Sequence, residues 1–203
     1  VSRIELLDLV FVDVETSGLD PAKHDLLEVA AVRVNPFFEV GIRYWSKVIP
    51  PDGWLERADS KALKVCGYEE SAWADAAPLS TALDRLSTVL DGAVVCGHNV
   101  QFDLAFLRSG YELAGLPFPA VDYHVIDTSA LTWLLCAAGQ AKALSLDAAC
   151  AALGIERPSP HRALADAYAC LEVAKRMRAR EATAARFMDS LRAMGGSWRP
   201  VGA

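Results

Sequence analysis

Leu6-Leu7-Asp8-Leu9-Val10-Phe11-Val12-Asp13-Val14-Glu15, followed by Thr16-Ser17-Gly18-Leu19-Asp20-Pro21, is the stretch on which the fold turns. Until its end the first segment is apolar on both alternating faces, as a central strand covered on both sides must be, and the second is a turn. Asp13 and Glu15 lie two positions apart, so their side chains leave the strand on the face of Leu9 and Phe11; Val10, Val12 and Val14 line the other. A core strand therefore ends with two carboxylates side by side, where like charges repel and burial raises both pKa values. That costs free energy unless a cation is shared between them. For a lone pair of this kind, a strand end that simply reaches solvent is the better account.

Outward from that strand, Leu26 to Val34 and Ile42 to Ile49 read as two more strands, the latter with clean period-two alternation, stopped at Pro50-Pro51-Asp52-Gly53. Residues 54–79 carry short helical pieces and loop. A helix spans Leu79 to Leu90, and Ala93 to Cys96 is a short buried strand. Gly97-His98-Asn99 leads into a helix from Val100 to Ala114, with Val100, Leu104, Leu107 and Tyr111 on one stripe. Tyr123 to Ile126 is a fifth strand and Thr128 to Ala138 a helix. A small helix over Ser145 to Leu153 has Ser145 as cap and Gly154 as terminator. The last helix runs from Arg162 past Arg178 toward Met194, and 195–203 reads as a frayed tail. With no repeat and no linker, 1–194 reads as one α/β domain, a single mixed sheet with helices against it.

Composition narrows the classes further. A chain of 203 residues can bury roughly 70% of its unfolded surface, ample for one core. Thirteen Gly and 10 Pro exclude collagen-like and low-complexity chains. No apolar run approaches the ~18 residues of a membrane span. The start, Val1-Ser2-Arg3, lacks an initiator Met and a charged-then-apolar leader, as a trimmed chain would. A net charge of −6 argues against a general polyanion-binding surface but not against nucleic acid met through metal ions. Five Cys (Cys66, Cys96, Cys136, Cys150, Cys170) lie far apart with no C-x-x-C pair, which suits buried, reduced thiols in a cytoplasmic protein.

Two further stretches carry polar groups where apolar ones belong. In Gly97-His98-Asn99-Val100-Gln101-Phe102-Asp103, Asp103 sits one turn into an apolar helix, where it also favours the helix dipole; His98 and Asn99 could serve as turn and cap. In Pro160-His161-Arg162-Ala163-Leu164-Ala165-Asp166, five helical residues would turn ~500°, so His161 and Asp166 share no helix face. Pro158 and Pro160 put His161 on the loop and Asp166 on the helix. Together Asp13, Glu15, Asp103 and Asp166, with no Cys, form a hard oxygen donor set that selects Mg²⁺ or Mn²⁺. Several acids with one His suit metal-assisted phosphodiester hydrolysis, in which two cations ~3.5–4 Å apart serve the attacking and departing oxygens. A neutral His can take the water proton.

These residues resemble the DEDDh branch of the DnaQ-like 3′–5′ exonucleases, which includes the proofreading epsilon subunit of bacterial replicases and has RNase T and oligoribonuclease relatives. The family's D-x-E-T-x-G-L is Asp13 to Leu19, its H-N-x-x-F-D-x-x-F-L is His98 to Leu107, and its H-x-A-x-x-D is His161 to Asp166, all in order. The resemblance spans Leu7 to Lys175. It implies a ribonuclease H-like fold, a five-stranded mixed sheet whose second strand is antiparallel to the others. It implies that Asp13, Glu15 and Asp166 bind a first divalent ion, that Asp13 bridges to a second which Asp103 helps hold, and that His161 is the general base. Thr16, Gly18 and Leu19 would cradle the terminal nucleotide, with His98, Asn99 and Phe102 lining the same cleft.

The activity so implied is removal of nucleoside 5′-monophosphates from single-stranded or frayed 3′ ends. DNA is favoured over RNA, in proofreading or repair, with a polymerase as partner and no membrane. An exoribonuclease is the alternative, since the same five residues serve both sugars and no residue here visibly reads a 2′-hydroxyl. A metal-loaded binding module would not need all five residues. An aspartyl phosphatase would need a downstream Lys and Asp pair that the chain lacks. Trp45, Trp54 and Trp73 read as core or loop anchors before base-stacking platforms. Lys175, Arg176, Arg178 and Arg180 read as a solvated helix face before a phosphate patch.

Overall fold

The computed structural model describes residues 7–193, with side chains to residue 182. Its strands are β1 (Leu9–Thr16), β2 (Leu26–Val34), β3 (Val40–Ile49), β4 (Ala77–Pro78), β5 (Val94–Gly97) and β6 (Val125–Asp127). Its α-helices are α1 (Trp54–Arg57), α2 (Ser60–Val65), α3 (Leu79–Leu90), α4 (Val100–Leu113), α5 (Thr128–Ala137), α6 (Leu146–Leu153) and α7 (Ala163–Ala193), with a 3-10 turn at Glu70–Trp73. The strands form one sheet in the order β4-β3-β2-β1-β5-β6. Only β2 runs against its neighbours; β1 is parallel to β5, β5 to β6 and β3 to β4.

The expected five strands are thus six. The extra one, β4, is two residues long and too short to carry a period. Its Pro78 offers no N–H to a further neighbour, which an edge strand tolerates. The helix boundaries at 79–90 and 146–153 fall where the sequence puts them. The Ser145 hydroxyl accepts from the Ala148 amide at 3.3 Å and Gly154 closes the helix at φ +66°. Leu6, Met194 and the expected tail at 195–203 lie outside the described residues.

Burial on both faces of β1 explains its continuous apolar run. Val10, Val12 and Val14 pack with Ala82, Leu86, Leu104 and Leu107 from α3 and α4. Leu9 and Phe11 pack on the other side with α6 and α7. There α7 presents Ala163, Ala167, Cys170 and Ala174, small groups that let the helix lie close across β1 and β2. Cys66, Cys96, Cys150 and Cys170 are buried free thiols, whereas Cys136 is half-buried, with its Sγ near the Ala143 carbonyl. The aromatic anchors separate likewise. Trp73 is buried and donates from its indole to the Leu27 carbonyl at 3.1 Å, Trp54 packs edge-on against Tyr68, and Trp45 stays largely exposed. No helix among the described residues is long and apolar enough to cross a membrane.

Candidate active site

The end of β1 carries Asp13 and Glu15 on one face, with Glu15 directly opposite Glu28 of β2. The turn from β5 into α4 runs close beside it. A Cβ at Gly97 would lie 3.1 Å from the Val12 carbonyl and 3.2 Å from Val100, so glycine lets the two backbones approach this closely without a shift. Asn99 takes the left-handed conformation at φ +62°. Its side chain does not cap α4; the Asp127 carboxylate does, accepting from the Asn99 amide at 2.9 Å and also capping α5 at Ser129. One turn on, Asp103 is buried, and its Oδ1 accepts from the Val14 amide at 3.0 Å. The donor is the peptide N–H lying between the two strand acids.

The third contribution comes from the start of α7. His161 sits on the preceding loop at φ +60°, exposed, while Asp166 is buried on the helix. They meet through the backbone, the His161 amide donating to Asp166 Oδ2 at 3.0 Å. The Arg157 guanidinium lies across the same carboxylate, Nε to Oδ1 at 2.7 Å and Nη2 to Oδ2, and also pairs with Asp147.

Glu15, His161 and Asp166 each offer one ligand atom, all within 4.8 Å of one another. Asp13 and Asp103 stand outside that trio but inside its field. Burial holds Asp13 well above the usual carboxylate range, and the charges of Asp103, Asp166 and Glu15 add to it against Arg157. Glu15 is pushed up to about 8, first by burial and then by Asp166 and Glu28, with Arg162 and Arg157 opposing. Burial also raises Asp103, with the Val14 hydrogen bond pulling the other way. Five acids, Asp13, Glu15, Glu28, Asp103 and Asp166, crowd here against two arginines, Arg157 and Arg162. An oxygen-rich donor set with one imidazole fits a hard divalent cation such as Mg²⁺ or Mn²⁺.

The expected nucleotide contacts divide. Gly18 is buried, and a Cβ there would land 2.3 Å from the His24 ring, so any other residue must displace that ring or the turn. Leu19 beside it is exposed. The Thr16 hydroxyl is engaged within the turn, donating to the Gly18 carbonyl at 2.7 Å. Phe102 is half-buried against Phe106, and Asn99 is exposed. His98 is tied at both ring nitrogens, Nδ1 to the Thr128 hydroxyl at 3.0 Å and Nε2 to the Leu144 carbonyl at 2.7 Å. Burial lowers its pKa, and the ring braces the turn before α4 against Thr128 of α5 and the Leu144 carbonyl, to which Nε2 donates. Sequence reasoning missed Arg157, Glu28, Arg162, Asp127 and His24. Arg162 lies inside the third motif, at a position the pattern leaves open; the other four lie outside all three, and no period or spacing marks a long-range partner.

The RNase_T family model, described as exonuclease, matches residues 10–174. A DNA polymerase III subunit epsilon-like protein of Rhodobacter capsulatus is 33% identical over 177 residues, covering 86% of this chain and 24% of that protein. The 3′-5′ exonuclease DinG of Bacillus subtilis is 29% identical over 159 residues, covering 78% of this chain and 16% of that protein. E. coli exonuclease I in complex with a dT13 oligonucleotide superposes with a TM-score of 0.76 at 22% identity, covering 91% of this chain and 43% of that one. The likeness of fold is therefore the ribonuclease H-like one. The chain spans a quarter or less of the length of these two curated relatives.

Proposed function

The chain belongs to the RNase_T exonuclease family, and from that membership and the acid geometry we propose a two-metal-ion 3′–5′ exonuclease of the DEDDh type within 1–194. Its substrate is the free 3′ end of single-stranded or frayed DNA, and its products are nucleoside 5′-monophosphates. The observation that carries the reading is the approach of Glu15, His161 and Asp166, drawn from two separate motifs, to within 4.8 Å. DNA rather than RNA is supported by the epsilon-like relative and by the oligonucleotide bound to the exonuclease I neighbour. An epsilon-like relative also supports a polymerase as the working partner, in proofreading or repair trimming.

Asp13, Glu15 and Asp166 would hold one divalent cation, with Asp13 and Asp103 toward a second. Bound there, such ions supply Lewis acidity to the phosphoryl oxygens and lower the pKa of water. The chain's own groups do the rest. His161, exposed on its loop beside Glu15 and Asp166, accepts the proton of the attacking water. The Thr16–Leu19 turn receives the terminal nucleotide, its shape fixed by Gly18 under His24. Asn99 and Phe102 would line the same cleft, while His98 holds the α4 entrance in place.

Digestion of 5′-end-labelled single-stranded DNA and RNA of one sequence, with Mg²⁺ or Mn²⁺, tests this. The expected result is a ladder shortening from the 3′ end on DNA, slower on RNA, stopped by EDTA and by Asp13→Ala. Faster cutting of RNA would make the chain an exoribonuclease. Full activity in excess EDTA would remove the metal mechanism.

A further inference from the structure

We propose that Glu28, an acid outside all three motifs, is the positioning residue for His161: it seats the start of α7 against β2 and so aims the imidazole at the site. This rests on the exonuclease reading for the base role of His161. Glu28 is fully buried in β2, directly across from Glu15. A carboxylate withdrawn from water this completely is costly unless its oxygens are paired. Two of its three partners come from the start of α7. Oε1 lies 2.8 Å from Arg162 Nη2, an ion pair without hydrogen-bond geometry, and Oε2 accepts from the Ala163 amide at a long 3.4 Å. The third partner, the Trp45 indole N–H, donates to Oε2 at 3.1 Å from β3.

Arg162 and Ala163 are the two residues after His161, and Pro160 precedes it. His161 itself holds φ +60°, a conformation that persists only when its surroundings over-determine it. The Glu28 clamp follows it, and its own amide is bonded to Asp166. The loop is thereby fastened at both the sheet and the helix. An arginine that serves only as a surface charge would not reach a carboxylate with no exposed area.

A double-mutant cycle tests the proposal, measuring kcat on single-stranded DNA at saturating Mg²⁺ for Glu28→Ala, His161→Ala and the pair. Loss of a general base costs roughly 10²–10⁴-fold. Glu28→Ala is expected to lower kcat at least about tenfold with KM within about threefold, yet to cost under about threefold once His161 is gone, as coupled residues do. Equal losses in both backgrounds would overturn the proposal, since a residue that only supports the fold acts independently of the base. Glu28→Gln keeps an acceptor for Trp45 and Ala163 and breaks only the Arg162 arm, so a smaller loss with the same coupling is expected even if the alanine variant folds poorly. Hydrogen exchange on the metal-free chain reads the seating by itself. Faster exchange confined to 158–168 in Glu28→Gln supports it, and unchanged exchange there overturns it. A wild-type chain that hydrolyses nothing, or His161→Ala at full rate, would sink the base role and leave the exchange result to stand on its own.

Discussion

The Val14 amide donates to Asp103 Oδ1 at 3.0 Å, so the peptide between Asp13 and Glu15 is anchored by the acid of another motif. Asp103 therefore has two duties, a hydrogen-bond acceptor in the core and a charge in the site. Asp103→Asn keeps the acceptor and removes the charge. Activity should fall by at least ~100-fold, since even outer partners of a metal site cost roughly 10–100-fold. Stability in EDTA should hold or rise, because a buried repulsive charge is gone. Asp103→Ala leaves the amide unpaired and should be less stable than the Asn variant by about 1–3 kcal/mol. Urea melts that rank the two variants equally would deny the anchoring role.

Glu15 makes metal-free stability depend on pH in an identifiable direction. Its carboxyl titrates at about 8 in the fold against an ordinary 4.5, so between those values the folded chain holds a proton that the unfolded chain has released. Its contribution is fully present below about pH 4.5 and is lost as pH rises through about 8. Each unit of that interval is worth about 1.4 kcal/mol. The stability of the wild type minus that of Glu15→Gln, from denaturant melts in EDTA, should fall steadily from pH 5 to 8. A difference that stays flat or climbs would contradict the charge crowding.

The same proton must leave when a cation arrives. Carboxylates bind metal deprotonated, so at pH 7 binding of Mn²⁺ should release about one proton or more per site, diminishing above pH 9. Calorimetry in buffers of different ionisation enthalpy measures this directly. Heats that do not vary with the buffer would mean that the acids are already ionised.

Gly18 is favoured by shape. Because a Cβ there would sit 2.3 Å from the His24 ring, Gly18→Ala should displace the 16–19 turn, raise KM for DNA and cost about 1–3 kcal/mol as overpacking does. In a His24→Ala background the added cost should drop below about 1 kcal/mol, because the obstructing ring is absent. An undiminished penalty there would point to the backbone instead.

What could be read in the sequence follows from how locally each feature is encoded. The apolar run before Asp13, the Ser145 and Gly154 caps and the loop placement of His161 depend on neighbours a few residues away, and the structure has them. The antiparallel second strand came with the family resemblance, and β2 has it. Strand β4 escaped notice because two residues carry no period. Asn99 sits where a cap residue belongs, yet Asp127, 28 residues on, does the capping. Arg157 and Glu28 sit in stretches that read as loop and as ordinary strand, and their importance exists only once Asp166 and Arg162 have folded onto them. The basic residues of α7 stay exposed, as a solvated face would be, with Arg176 reaching the carbonyls of Leu153 and Gly154, Arg178 that of Pro36 and Arg180 the Gln140 side chain.

Anomalous diffraction from a crystal grown with Mn²⁺ and a nucleoside 5′-monophosphate tests the central claim most directly. Two peaks about 3.5–4 Å apart are expected, one among Asp13, Glu15 and Asp166 and the other between Asp13 and Asp103. Manganese bound elsewhere, with these four acids bare, would contradict the account.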